Sequence, residues 1–96
     1  MLLLPATLTH REAADTVLML GQALDRESVD PVCMDASGLQ HFDSSALAVM
    51  LEFRRRALAR GRGFVLRSAP PKLAALAVLY GVDVLLPAEA AAAASA

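Results

Sequence analysis

Short apolar segments closed by turn residues alternate with longer segments of helical pattern along this chain, and that alternation limits the folds open to it. Residues 32–36 and 63–67 have the length and composition of buried strands, and we expect a third strand at residues 82–86. Residues 2–8 suit an edge strand, because proline at position 5 cannot donate a hydrogen bond to a neighbouring strand. Strands that alternate with helices form βαβ units, so the sequence predicts an α/β fold with a largely parallel sheet.

The first predicted helix covers residues 10–26. Thr9 and Glu12 have the spacing of a capping box, and apolar residues recur after them at helical spacing. We expect one face of this helix to be buried, formed by Ala14, Val17, Leu18, Gly21 and Leu24.

Two further helices follow. Asp43, Ser44 and Ser45 form an N-cap cluster ahead of a helix over residues 46–60, which Gly61 ends. The apolar stripe of this helix is Leu47, Met50, Leu51 and Leu58, with Val49 and Phe53 beside it. The third helix begins at the two prolines of positions 70 and 71 and ends at Gly81.

The chain has 96 residues and a net charge of −1, which predicts one small soluble domain over residues 1–87 with an Ala-rich tail over 88–96. The charge is uneven, since residues 1–53 sum to −6 and residues 54–96 to +5. A balance this near neutral disfavours a dedicated nucleic-acid-binding protein.

Three features of the sequence predict the cellular compartment of the protein. The single Cys33 cannot form an intrachain disulfide, which favours the cytoplasm. The apolar N-terminus lacks basic residues and meets Pro5 at once, unlike a signal peptide. No apolar run approaches the roughly 20 residues that span a bilayer.

Catalytic motifs are missing from the sequence, which has no phosphate-binding glycine loop, no metal-binding cysteine or histidine spacing and no nucleophile elbow. His41, Asp43 and Ser44 can be imagined as a catalytic set, but nothing supplies an oxyanion hole. His10 is interpreted as a solvent-facing residue of the first helix. We therefore predict no enzyme, no cofactor and no metal site.

Other polar residues have two interpretations each. Asp35 and Asp43 are interpreted as a turn residue and an N-cap in preference to a divalent-cation site. Cys33 is interpreted as a small buried apolar residue in preference to a nucleophile. On local chemistry Ser44 and Ser45 are N-caps, although a hydroxyl at a helix start is also a suitable phosphorylation site.

The arginines at positions 54–56, 60 and 62 have two interpretations as well. We interpret them as residues that complement the helix dipole at its C-terminal end. The alternative is a surface for phospholipid headgroups or an acidic partner.

The segment from Asp35 through Asp43-Ser44-Ser45-Ala46-Leu47 resembles a STAS domain, the module of bacterial anti-sigma factor antagonists and of sulfate-transporter tails. The resemblance continues through Arg54 to Ala57, Gly63 to Leu66, and Leu73 to Val82. Within the family, Ser-Ser-Ala-Leu-Ala and Leu-Tyr-Gly-Val are most similar to the STAS subunit of the Mla-type ABC transporter, which moves phospholipids between the membranes of Gram-negative bacteria.

The resemblance implies a small mixed, mostly parallel sheet with helices mainly on one side, no catalysis, and regulation through protein contact. In the antagonists a kinase phosphorylates the serine that Ser44 matches. In the transporter subunit this hydroxyl belongs to the surface that contacts the ATPase. Ala46 stands where antagonists usually carry glycine, and residues 2–8 replace an opening β-hairpin.

Two functions follow from the resemblance. The first is a noncatalytic subunit that binds and regulates or stabilises the ATPase of a phospholipid ABC transporter, at the inner face of the inner membrane and touching the membrane only through the complex. The second is an anti-sigma factor antagonist switched at Ser44 by a kinase. The expected partner-binding residues are Phe42, Asp43, Ser44, Ser45, Ala46, Leu47, Met50 and Tyr80.

Overall fold

The computed structural model describes residues 1–86, which form five short strands, three α-helices and one 3₁₀ turn. The predicted Ala-rich tail, residues 88–96, lies outside the described residues, as does Pro87. The elements in chain order are β1 (Leu2–Leu3), β2 (Thr7–Leu8), α1 (Ala13–Arg26), β3 (Val32–Asp35), β4 (His41–Phe42), α2 (Ser44–Ala59), β5 (Phe64–Arg67), α3 (Pro71–Leu79) and the 3₁₀ turn Asp83–Leu85.

All strand pairs in this part of the chain are parallel, as the βαβ pattern predicts. One sheet has the order β1-β3-β5, with Met34 of β3 opposite both Leu2 and Leu66. A second sheet contains only β2 and β4, with Leu8 opposite Phe42. The two N-terminal strands therefore pair with different sheets and form no hairpin with each other.

The helices cover one face of the three-stranded sheet. Successive residues of β3 and β5 alternate between buried and half-buried, because neighbouring side chains on a strand point to opposite faces. Val32 and Met34 are in the core, whereas Cys33 and Val65 are half-buried on the other face. The prediction that Cys33 is a core residue is wrong, since it lies on the sheet face that the helices leave open.

The helix signals of the sequence are present in the structure, but α1 begins at Ala13 and not at residue 10 as predicted, because residues 10–12 form a turn ahead of it. The Glu12 carboxylate accepts hydrogen bonds from the Thr9 backbone N–H (2.9 Å) and hydroxyl (2.7 Å), which is one half of the predicted capping box. Pro71 is in the first turn of α3. After α2 and α3, Gly61 and Gly81 adopt positive φ values of 73° and 71°, the left-handed conformation that ends a helix.

The buried face of α1 differs from the prediction. Thr16, Leu20 and Leu24 face the core, while Leu18 is 65% exposed and Ala14 is exposed as well. Apolar residues occur on two sides of this helix, so the pattern alone does not select the side that packs. Gly21 faces α2, where a Cβ atom would lie 2.8 Å from Nη1 of Arg56.

Two other predictions are also wrong. Leu58 is 49% exposed, because the buried face of α2 is centred on Phe53 and Ala57. Residues 82–86 form no strand, since Asp83–Leu85 is a 3₁₀ turn packed against α3. Within this apolar segment, Leu86 is buried in the core.

Candidate partner-binding site

The start of α2 is the best-defined polar site among the described residues. Asp43 has extended backbone angles, and its Oδ1 accepts the Ser45 backbone N–H at 2.8 Å. This hydrogen bond satisfies one of the N–H groups that the first turn of a helix leaves free. It is also the main reason that the pKa of Asp43 is lowered, since it stabilises the ionised carboxylate. Asp43 is thereby confirmed as the N-cap, whereas the interpretation of Ser44 and Ser45 as N-caps is wrong, because both lie within the first turn of α2.

Ser44 is the first residue of α2 and is exposed. Its hydroxyl makes no hydrogen bond to any residue in the range 1–86. Ser45 is half-buried beside it, and the Ala46 backbone N–H donates to the Asp43 carbonyl at 3.0 Å. A hydroxyl is therefore presented to solvent on a turn whose backbone is held by capping bonds.

The structure divides the predicted partner-binding residues into two groups. Ala46 and Met50 are fully buried and Leu47 is 4% exposed, so these three side chains belong to the core of the domain. The apolar start of α2, which suggested a docking surface in the sequence, packs inside this domain. Phe42 is half-buried against the same core.

Tyr80 is exposed at the C-terminal end of α3, apart from the Asp43 turn in the chain. Since an α-helix rises about 1.5 Å per residue, Tyr80 lies roughly 13 Å along the axis of α3 from the start of α3 at Pro71. Its neighbours Val78, Leu79 and Val84 are also exposed. Sequence reasoning singled out Tyr80 but missed these three, because Val84 was expected in a strand and the other two within a packed helix.

Asp35 is occupied by its own turn. Its Oδ1 accepts the Ser37 backbone N–H at 2.8 Å, which is the first cause of a lowered pKa at Asp35. Residues 1–86 contain no group of three acidic, histidine or cysteine side chains placed to hold a metal ion. The geometry therefore favours the interpretation of Asp35 and Asp43 as turn and cap residues.

The imagined catalytic set is not assembled. Asp43 contacts His10, not His41, and its two oxygens are taken by Ser45 and His10. His41 is exposed on β4, and within residues 1–86 its side chain makes no hydrogen bond. In the part of the chain that the structure describes, Ser44 consequently contacts no base that could activate it.

The arginines near the end of α2 are mostly engaged internally. Arg55 and Arg56 both bind the Glu52 carboxylate at 2.7 Å, and Arg56 also stacks over Phe53 at 5.1 Å. The two guanidinium groups lower the pKa of Glu52 to about 2. Arg60 pairs with Asp25, and Arg62 donates to the carbonyl of Glu27. These contacts favour a role within the domain, and only Arg54 of this cluster lacks an ion pair or hydrogen bond within residues 1–86.

Comparison with known families agrees with this architecture, because the family model described as "Mlab, STAS domain" matches residues 2–87. The chain belongs to the STAS family, in its MlaB type. STAS domains are generally non-catalytic. A search of curated proteins finds no match. Within residues 1–86, no helix has the length and apolar character needed to cross a bilayer.

Proposed function

We propose that this MlaB-type STAS domain is a noncatalytic subunit that binds, and regulates or stabilises, the ATPase of an ABC transporter for phospholipid trafficking between membranes. Residues 1–87 would act as one domain in the cytoplasm, at the inner face of the inner membrane within the complex. The observation that carries the proposal is the exposed Ser44 hydroxyl on a capped turn, in a family of the MlaB type.

The proposed contact surface consists of Ser44 and its turn together with the exposed apolar end of α3, residues 78–80. Exposed apolar side chains clustered at one helix end are typical of interaction surfaces. Ala46, Leu47 and Met50 support this surface from beneath, since they are buried.

Co-purification with an ABC transporter ATPase from the same organism tests the proposal. Ser44→Arg places a long charged side chain on the turn, and Tyr80→Lys places one on the end of α3. We expect both variants to lose the ATPase while keeping the thermal unfolding midpoint of the wild type. Leu18→Lys is the matched control, because Leu18 is an apolar residue of similar exposure on α1.

Retention of the ATPase by Ser44→Arg and Tyr80→Lys together would contradict the proposed surface. Failure of the wild-type chain to bind any ATPase of the transporter would contradict the function itself.

An anti-sigma factor antagonist is the second candidate, and one observation favours it. The free Ser44 hydroxyl lies at the positive end of the α2 dipole, where a phosphate group is stabilised. Mass spectrometry of the protein from cells would detect the phosphate, and Ser44→Asp would release a kinase partner. An unmodified Ser44, with Ser44→Asp behaving as wild type, removes this candidate.

A further inference from the structure

His10 makes two contacts with Asp43 that the capping role of Asp43 does not require. The His10 backbone N–H donates to Oδ2 at 3.2 Å, and the ring atom Nδ1 lies 3.4 Å from the same oxygen. The other carboxylate oxygen accepts the Ser45 backbone N–H. One carboxylate therefore joins the segment between β2 and α1 to the first turn of α2, directly beside Ser44.

The contact between His10 and Asp43 is open to solvent. Its side chain is 77% exposed and that of Asp43 is 41% exposed, so protons reach both. The carboxylate of Glu12, two residues from His10, is held by the N–H and hydroxyl of Thr9. The other ionisable residues on the adjoining segments are Arg11, Asp15 and His41.

We propose that His10 is a positioning residue for the Ser44 turn and that its protonation is transmitted to that turn through Asp43. An imidazole gains a proton between about pH 8 and pH 5, and both ring nitrogens are then donors. The ring contact to Asp43 becomes charge-assisted, which shortens and strengthens it. Because Asp43 has a lowered pKa, its carboxylate stays ionised across this range. The significance for partner binding rests on the proposed function.

A nuclear magnetic resonance titration of the whole chain from about pH 8 to pH 5 tests the coupling over the range in which imidazole titrates. We expect the backbone amides of Ser44 and Ser45 to shift with the same midpoint as the His10 ring protons. His10→Gln should abolish this shift. The variant should fold, because the replaced ring is exposed and the backbone N–H of residue 10 still donates to Asp43.

His41→Gln is the matched control, since it removes an exposed histidine from β4, two residues before Asp43. It should leave the pH-dependent shifts of the Ser44 and Ser45 amides unchanged. Asp43→Asn should uncouple the Ser44 and Ser45 amides from His10 while His10 itself still titrates. Persistence of the amide shifts in His10→Gln, or a midpoint that follows His41, would overturn the proposal.

The affinity for the transporter ATPase, measured at about pH 6 and pH 8, separates this inference from the proposed function. The affinity of the wild type should change by up to about fivefold between these pH values, which is the upper end of the range for an exposed ion pair. The affinity of His10→Gln should be the same at both pH values. If no ATPase binds but the Ser44 and Ser45 amides shift with the midpoint of the His10 ring, the proposed function fails while the coupling of His10 to the Ser44 turn is supported. Equal pH dependence in wild type and His10→Gln contradicts a positioning role in binding.

Discussion

The two ends of α2 are both polar, yet they use their polar groups differently. At the start, the Asp43 carboxylate caps the helix and leaves the Ser44 hydroxyl exposed without a partner in residues 1–86. Near the end, Glu52 binds Arg55 and Arg56. The difference teaches that a dense cluster of charge is not by itself a binding surface. Most groups at the C-terminal end are already satisfied within the domain, whereas the start retains a free group on a held backbone.

The largest expected effect comes from the layer beneath the start of α2. Leu47→Ala removes a side chain that is 4% exposed and should lower the free energy of unfolding by about 2–4 kcal/mol. Leu58→Ala is the control near the other end, where the side chain is 49% exposed and the loss should be below about 1 kcal/mol. Urea denaturation measures both values. Equal losses would show that the two ends do not differ in packing.

Gly61→Ala tests the termination of α2. The φ value of 73° disfavours any residue with a Cβ atom, so the free energy of unfolding should fall by about 1 kcal/mol. Among residues 1–86, apart from the two chain neighbours of Gly61, no atom lies within 4 Å of the added Cβ, so the loss would arise from the backbone alone. Gly81→Ala, with the same geometry after α3, should give a similar loss in urea denaturation. An unchanged stability in both variants would exclude this account.

Asp43→Asn tests the cap through its pH dependence. The pKa of Asp43 is lower in the folded chain than its ordinary value, so the ionised carboxylate contributes stability above about pH 4 and loses it as the pH falls through the folded pKa. The thermal midpoint of the variant should be a few degrees below that of the wild type near neutral pH. The two midpoints should converge in acid. A difference that persists in strong acid would assign the loss to another cause.

Glu52→Gln tests the charged end of α2 and should have the smallest effect. The pKa of Glu52 is about 2 in the folded chain, so its contribution is present above the ordinary value of 4.5 and is lost as the pH falls toward 2. Thermal unfolding across this range should show a steeper decline of the midpoint in the wild type than in the variant, which keeps the other carboxylates of lowered pKa. Salt should reduce the difference, because the arginine partner Arg55 is exposed. A salt-independent difference would contradict an ion-pair origin.

Local signals in the sequence predicted the parts of this fold that depend on a few adjacent residues. The Asp43 cap, the Thr9 and Glu12 pair and the two terminating glycines each act through their own backbone hydrogen bonds or φ angle. Such features require no knowledge of the remainder of the chain.

Most of the wrong predictions concern packing between distant elements. Leu18 and Leu20 are equally apolar, and only the position of α1 on the sheet decides that Leu20 is buried. The site shows the same dependence on packing. Sequence reasoning grouped Leu47 and Met50 with Ser44, although the first two side chains are in the core and Ser44 is on the surface. The contact between His10 and Asp43 depends on the pairing of β2 with β4, for which the sequence carries no local signal.

The pairing of β1 and β2 with two different sheets affects the order in which the chain can fold. Both strands are synthesised before their partners, since β1 pairs with β3 and β2 with β4. Each pairing closes a loop that contains the whole of α1. Such non-local contacts slow folding because loop closure must precede the gain from pairing. During synthesis β1 therefore remains without its strand partner until residue 35 is available, and β2 until residue 42, although these two strands are made first.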